Sequence, residues 1–178
     1  MTGVQTCALP ISINGYAIGG GHELHLMCDL SVASENAVLG QVGPKVGSIP
    51  VWGAVQLLPR IVGEKRAREI VFLCRRYSAR EALDMGLVNR VVAPDALAAE
   101  VDAMCRELLN MSPRSLRIAK TLMNHGSDLD YNTYLTGAEM LTQTYGDAEN
   151  LEGVTAFLEK RTPDYHKFRQ PRLAAEPS

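Results

Sequence analysis

Apolar positions change their spacing several times along this chain, and each change marks an element. Leu24, Met27 and Cys28 fall at i, i+3 and i+4 directly after three glycines, Gly19–Gly21. That spacing predicts a helix from about Gly20 with those three residues on its apolar face. Leu30–Ala33 and Ala37–Leu39 are short apolar runs separated by Ser34-Glu35-Asn36, which predicts two strands and a turn. Gly40–Gly53, GQVGPKVGSIPVWG, is dense in glycine and proline and reads as loop. Trp52–Ile61 and Glu64–Cys74 read as helices divided near Gly63. In the second, Ala67, Ile70, Val71 and Cys74 keep helical spacing while Arg66, Arg68 and Glu69 face out. Arg80–Met85 is a short helix and Leu87–Val92 a strand. Four helices are expected after them, over Ala96–Asn110, Pro113–Met123, Asn132–Thr144 and Glu149–Lys160. The tail from Arg169 is expected to be disordered. The whole is an α/β part running into an all-helical end.

Composition narrows the partners. A length of 178 residues suffices for one domain with a real core, and a formal charge of −2 gives no basic excess for nucleic acid. The basic cluster Arg60, Lys65, Arg66, Arg68, Arg75, Arg76 is interleaved with Glu64 and Glu69. It reads as a solvated face with pairs such as Glu64–Arg68. No apolar run approaches the length of a membrane span and no secretory signal is visible, so a cytoplasmic protein without a membrane partner is expected. Cys7, Cys28, Cys74 and Cys105 are widely spaced and form no CxxC, which suggests buried free thiols in a reducing compartment.

The candidate chemistry lies in Gly15–Asp29, GYAIGGGHELHLMCD. Glycines at a helix entry let another group approach the backbone closely. The first N–H groups of the helix have no intrahelical partner, and the dipole adds partial positive charge there. Such an end can hold a developing oxyanion, for instance an enolate oxygen formed from a thioester carbonyl. Glu23 lies in the first turn, placed to move a proton beside a carbonyl polarised by those donors. A plain close-packing turn with a dipole-favoured glutamate is the simpler alternative. The stretch lacks the GK[ST] of a P-loop. HExxH zinc binding would need histidine where Leu26 stands, so no metal is expected.

From Ile13 to about Phe168 the chain resembles the C-terminal portion of a crotonase-superfamily (enoyl-CoA hydratase/isomerase) protein. The resemblance rests on NGYAIGGGHEL, MCDLSVASENAVLGQ, ARE…ALDMGLVNRVV, SPRSLRIAK and EGVTAFLEKR, in order. GGGH, GQVGPKVGS and VGEKRAREIVFLCRRYSAREALDMGLVN are most similar to 1,4-dihydroxy-2-naphthoyl-CoA synthase and alicyclic ketoacyl-CoA ring hydrolases. The resemblance implies a ClpP/crotonase-like ββα spiral, of which residues 12–92 are the C-terminal half. Residues 93–168 would be a helical oligomerisation region and 169–178 the disordered tail. Met1–Ile11, MTGVQTCALPI, matches the in-frame translation of a common sequencing-adapter oligonucleotide and is expected to be non-native, leaving Cys7 without meaning. The chain would then be part of an enzyme whose N-terminal half supplies a second oxyanion donor and much of the CoA surface.

By the same resemblance, Gly20 donates its N–H to the thioester oxygen and Glu23 is the first of two catalytic glutamates. The second falls at Gly43, where the hydratase pattern GQPE reads GQVG. Glycine there is what bicarbonate-dependent naphthoate synthases carry, with bicarbonate standing in for the missing base. Ser48 matches that subfamily's active-site serine. Tyr145 matches a tyrosine that reaches a neighbouring subunit's site. Pro50 departs from its GS-x-D pattern and Glu23 departs from its apolar residue. Trp52 is expected in the acyl pocket. Phe157 and Lys160 match positions contacting CoA across a trimer interface. The implied function is hydration or isomerisation of a cyclic or bulky enoyl-CoA by a trimer or hexamer, with no permanently bound cofactor. The alternatives are the naphthoate-synthase or ring-hydrolase reaction and a non-catalytic member.

Overall fold

The structure, a computed structural model, describes residues 8–169. Two three-stranded sheets carry the first half. In one, β1 (Pro10–Ile13), β3 (Leu30–Ser34) and β6 (Arg90–Val92) run parallel in the order β1-β3-β6, with Ile13 opposite Ala33 and Ala33 opposite Val91. In the other, β2 (Tyr16–Ile18) lies parallel to β4 (Val38–Gly40), and β5 (Arg76–Ser78) closes antiparallel on β4. The two strands predicted around Ser34-Glu35-Asn36 therefore do not pair with each other. Each joins a different sheet, and the turn carries the chain between them. β2 and β5 are three-residue strands with no alternation long enough to see in sequence.

Successive residues of β3 face opposite sides, as a pleated strand requires. Ala33 enters the main core with Leu39, Leu58, Ile70 and Tyr77, whereas Val32 meets Leu97 and Met104 of helix α5 (Leu97–Leu109). Helices α2 (Ala54–Val62) and α3 (Glu64–Leu73) cover the main core, and Ala67, Ile70 and Val71 are the buried face, as their spacing predicts. The basic cluster is a solvated surface: Arg68 pairs with Glu64 at 2.9 Å and Arg75 with Glu69 at 2.9 Å. Helix α4 (Ala79–Asp84) starts in a capping box, with Ser78 Oγ accepting from the Glu81 amide and the Glu81 carboxylate accepting from the Ser78 amide.

Helices α6 (Pro113–Asp128), α7 (Tyr131–Thr144) and α8 (Ala148–Leu158) fold back onto the first half. A Cβ on Gly137 of α7 would lie 3.2 Å from the Val51 side chain, and Arg60 of α2 pairs with Asp130 at 2.7 Å. Asn150 of α8 donates from Nδ2 to the Gly47 carbonyl at 3.1 Å, stapling the loop after β4. α6 buries none of its side chains.

Three expectations change. The segment expected to be foreign to the fold contributes to it: Pro10 and Ile11 belong to β1, and Leu9 exchanges hydrogen bonds with Asp29 through its amide and carbonyl. Backbone pairing places few demands on side-chain identity, so residues 8–11 can complete an edge strand whatever their origin. Met1–Cys7, including Cys7, and the tail beyond Arg169 lie outside the described residues. Cys28, Cys74 and Cys105 are free but half-buried rather than buried. The third change concerns the first helix and belongs to the site.

Candidate active site around Glu23

Helix α1 (Gly20–Leu26) turns its polar side inward. Leu24 and Met27, expected on the buried face, are 59% and 48% exposed, while His22, Glu23, His25 and Leu26 are buried. Each buried polar group finds a partner from elsewhere in the chain. Gln41 donates from Nε2 to His22 Nδ1 at 3.0 Å. His25 Nε2 lies 3.1 Å from Ser31 Oγ. The Trp52 amide donates to Glu23 Oε1 at 2.6 Å, and the Ala54 amide also donates to that carboxylate. Buried polar groups must be partnered, and these partners decide the helix's orientation over its apolar spacing.

The glycine entry is built by backbone geometry. Gly19 takes φ +58° and ψ −121°, a region closed to other residues, and a Cβ there would lie 3.2 Å from Val42. Its amide donates to the Gly40 carbonyl, and its carbonyl accepts the first helical bond, from Glu23, each at 3.0 Å. The N–H groups of Gly20, Gly21 and His22 thus precede the intrahelical ladder. Gly20 and Gly21 are exposed, and nothing lies within 4 Å of where a Cβ would stand on either.

Electrostatics sets the protonation states. Burial raises the Glu23 carboxyl above its ordinary value, while the Trp52 and Ala54 amides pull it back. Burial, with a smaller contribution from His25, pushes the His22 imidazole down to about 3. His25 is lowered by burial as well. Both rings are therefore neutral, stacked with centroids 5.6 Å apart on the buried side of α1. Tyr134 of α7 is held above its usual value by burial, then by Asp130 and Glu23, which places its phenol within the field of the Glu23 carboxylate.

The Trp52 backbone meets Glu23, and Gly43 meets Ser48 and Pro50 in the loop that leads to Trp52. Gly43 is buried and fully packed: a Cβ there would stand 2.8 Å from Pro50 Cδ and 3.0 Å from the Ser48 carbonyl. The Ser48 amide donates to the Gly43 carbonyl at 2.8 Å, closing this loop on itself. Trp52 contributes its amide to Glu23, while its indole is exposed. Tyr145, Phe157 and Lys160 are exposed at the ends of α7 and α8, outside this group. A cavity of about 610 Å³ lies between Leu26, Met27 and Leu57 on one side and Asp128, Tyr131 and Tyr134 on the other. It opens at the end of α1 opposite Gly20, away from the free N–H groups. Sequence reading missed Gln41, Gln56, Tyr134 and Asn150. Only Asn150 carried a local signal, three residues after the helix-capping Asp147.

A buried carboxyl with a raised pKa, one turn beyond helix-end N–H donors, is an arrangement for moving protons next to a polarised carbonyl. Residues 1–169 match the family model described as enoyl-CoA hydratase/isomerase, and the chain belongs to that family. An enoyl-CoA hydratase/isomerase from Pseudoalteromonas atlantica superposes with a TM-score of 0.80 at 31% identity over 86% of this chain. An enoyl-CoA hydratase from Mycobacterium avium subsp. paratuberculosis gives 0.81 at 32% identity over 85% of this chain. This chain spans 62% of the length of each of these two. A carnitinyl-CoA hydratase from Mycobacterium avium gives 0.81 at 28% identity, over 92% of this chain and 66% of that one. The fold is thus the crotonase fold. No helix among the described residues is long and apolar enough to cross a membrane.

Proposed function

We propose that this chain carries the proton-transferring half of an active site for enoyl-CoA thioesters, with Glu23 as the single general acid/base. The observation supporting this reading is the buried Glu23 carboxyl, raised in pKa and anchored by backbone amides, one helical turn beyond the exposed Gly20 at the helix start. The thioester oxygen accepts from the Gly20 amide, which stabilises the enolate formed when a proton leaves carbon next to the thioester. Glu23 takes that proton in its carboxylate form and returns it from its carboxyl form. Burial that raises the carboxyl pKa above its ordinary value helps it hold the proton between the two halves of this cycle.

With glycine at position 43 and no room there for a side chain, one carboxylate does all the proton transfer. Isomerisation, which moves one proton between two carbons, needs only one. Hydration, the activity after which several structural relatives are named, would leave the water to be activated by another group. In this reading the acyl group is cyclic or bulky, the Trp52 indole and Ser48 border it, and no cofactor is permanently bound. The protein is cytoplasmic and works as a trimer or hexamer. Exposed Ile118, Leu122, Met123, Phe157 and Leu158 supply apolar surface for that assembly, and Tyr145, Phe157 and Lys160 act at a neighbouring subunit's site. The naphthoate-synthase alternative would require bicarbonate beside Gly43, and the packing of Pro50 and Ser48 against that position weighs against it.

The test uses full-length protein containing this chain, offered 2-enoyl, 3-enoyl and cyclohexenoyl-CoA with products followed by NMR. The expected result is interconversion of double-bond isomers, faster with the cyclic substrate and abolished by Glu23→Gln. Bicarbonate-dependent turnover of succinylbenzoyl-CoA instead would overturn the assignment.

A further inference from the structure

One peptide group links Glu23 to a residue with no assigned part in the site. Glu23 Oε1 accepts from the amide of Trp52 at 2.6 Å. The carbonyl of the same peptide unit, that of Val51, accepts from Gln56 Nε2 at 3.4 Å. Gln56 lies in the first turn of α2 and is 6% exposed, so its amide is committed to this buried location. Its Oε1 has no partner among the described residues, and turning the amide over would set that oxygen against the Val51 carbonyl. The donor therefore faces Val51. From the other side, Gly137 of α7 brings backbone against the Val51 side chain, where a Cβ would stand at 3.2 Å.

We propose that Gln56 is a positioning residue for Glu23, acting through the Val51–Trp52 peptide. The inference rests on the reading of Glu23 as the acid/base. A peptide unit can present either its N–H or its carbonyl to a neighbouring carboxylate. The first stabilises the charged carboxylate and the second repels it. By donating to the Val51 carbonyl, Gln56 selects the orientation in which the Trp52 N–H points at Glu23. Hydrogen bonds in series through one amide also polarise each other, which strengthens the donor that Glu23 meets. The Trp52 side chain can then vary, since its role in this relay is carried by backbone.

Loss of the Gln56 amide should therefore raise the Glu23 pKa further and loosen the carboxylate's orientation. The other titratable group whose field meets Glu23 is Tyr134 of α7, itself influenced by Asp130 at that helix's N-cap and by Arg60 of α2, which pairs with Asp130. None of these is touched by substitution at Gln56. The experiment is carboxyl-carbon NMR titration of the chain labelled at glutamate, with Glu23→Gln to assign the resonance. The amide proton of Trp52 is followed in parallel. In the parent, the Trp52 amide shift should titrate together with the Glu23 carboxyl. In Gln56→Met, which keeps the volume and removes the donor, the Glu23 midpoint should move up and the Trp52 amide should follow it less. Gln56→Asn, one methylene too short to reach Val51, should act in the same direction and serves if the methionine variant does not fold. An unmoved Glu23 midpoint in a folded variant overturns the proposal, as does a Trp52 amide in the parent that ignores the Glu23 titration. These readouts need no turnover, so failure of Glu23 as a catalytic group would show in the activity assay and leave this result standing.

Discussion

Acid should weaken this fold through His22, and the size of the effect can be worked out. In the unfolded chain a histidine titrates near 6.5, whereas burial holds His22 at about 3 in the native state. Between these values the unfolded state binds a proton that the folded state refuses, so stability rises with pH across that window and falls as pH drops through it. From pH 7 to 4.5 the loss is about 2 units at 1.36 kcal/mol each, or roughly 3 kcal/mol, growing to about 4 kcal/mol by pH 3. That is a large share of the ~5–15 kcal/mol that usually holds a domain. His25, also depressed, adds to the loss. Glu23 opposes it, because a carboxyl with a raised folded pKa favours the native state at low pH and loses that advantage as pH rises through the folded value. Urea unfolding at pH 7 and 4.5, for the parent and for His22→Asn, isolates the contribution. The variant starts from lower stability, but its drop between the two pH values should be smaller by about 3 kcal/mol. Equal drops, or a His22 imidazole seen by NMR to titrate near 6 in the folded protein, would refute the reasoning.

Three further outcomes follow from the packing. Glu23→Gln removes a buried charge, so it should stabilise the chain at pH 8 and show no gain below pH 4, read by urea midpoints at the two pH values. Gly43→Ala forces a Cβ against Pro50 and the Ser48 carbonyl and should cost about 1–3 kcal/mol in the same assay; an unchanged midpoint would mean the loop is free to move. Leu58→Ala, at a fully buried position of the main core, should cost about 2–5 kcal/mol by thermal or urea unfolding, with the far-UV spectrum unchanged.

The glycine entry was readable in sequence because it depends on local backbone geometry, and helix α1 starts where Gly19–Gly21 say it should. Which face of α1 is buried was not readable. Periodicity groups residues without saying what they meet, and here the partners of the polar face come from far along the chain. Gln41 reaches His22 across 19 residues, and the Trp52 amide reaches Glu23 across 29. The same limit hid the strand pairing: Ser34-Glu35-Asn36 looks like a hairpin turn, yet β3 and β4 belong to different sheets. The basic cluster was legible, since i,i+4 pairing is local. Gly43 was readable as a missing carboxylate, but the loop packed over its Cβ position became visible only in three dimensions. Family resemblance pointed to Tyr145, Phe157 and Lys160, and all three are exposed on this chain. Their proposed work lies with a neighbouring subunit.

The proposed chemistry rests on one carboxylate, and the most direct measurement is kcat for an enoyl-CoA substrate with full-length protein carrying Glu23 or Glu23→Gln, alongside the thioester's Kd for each. The expected result is a fall in kcat of about 10²–10⁴-fold with little change in Kd, the signature of a general acid/base removed from an intact site. Equal turnover by both proteins would contradict it and place the proton transfer on another group.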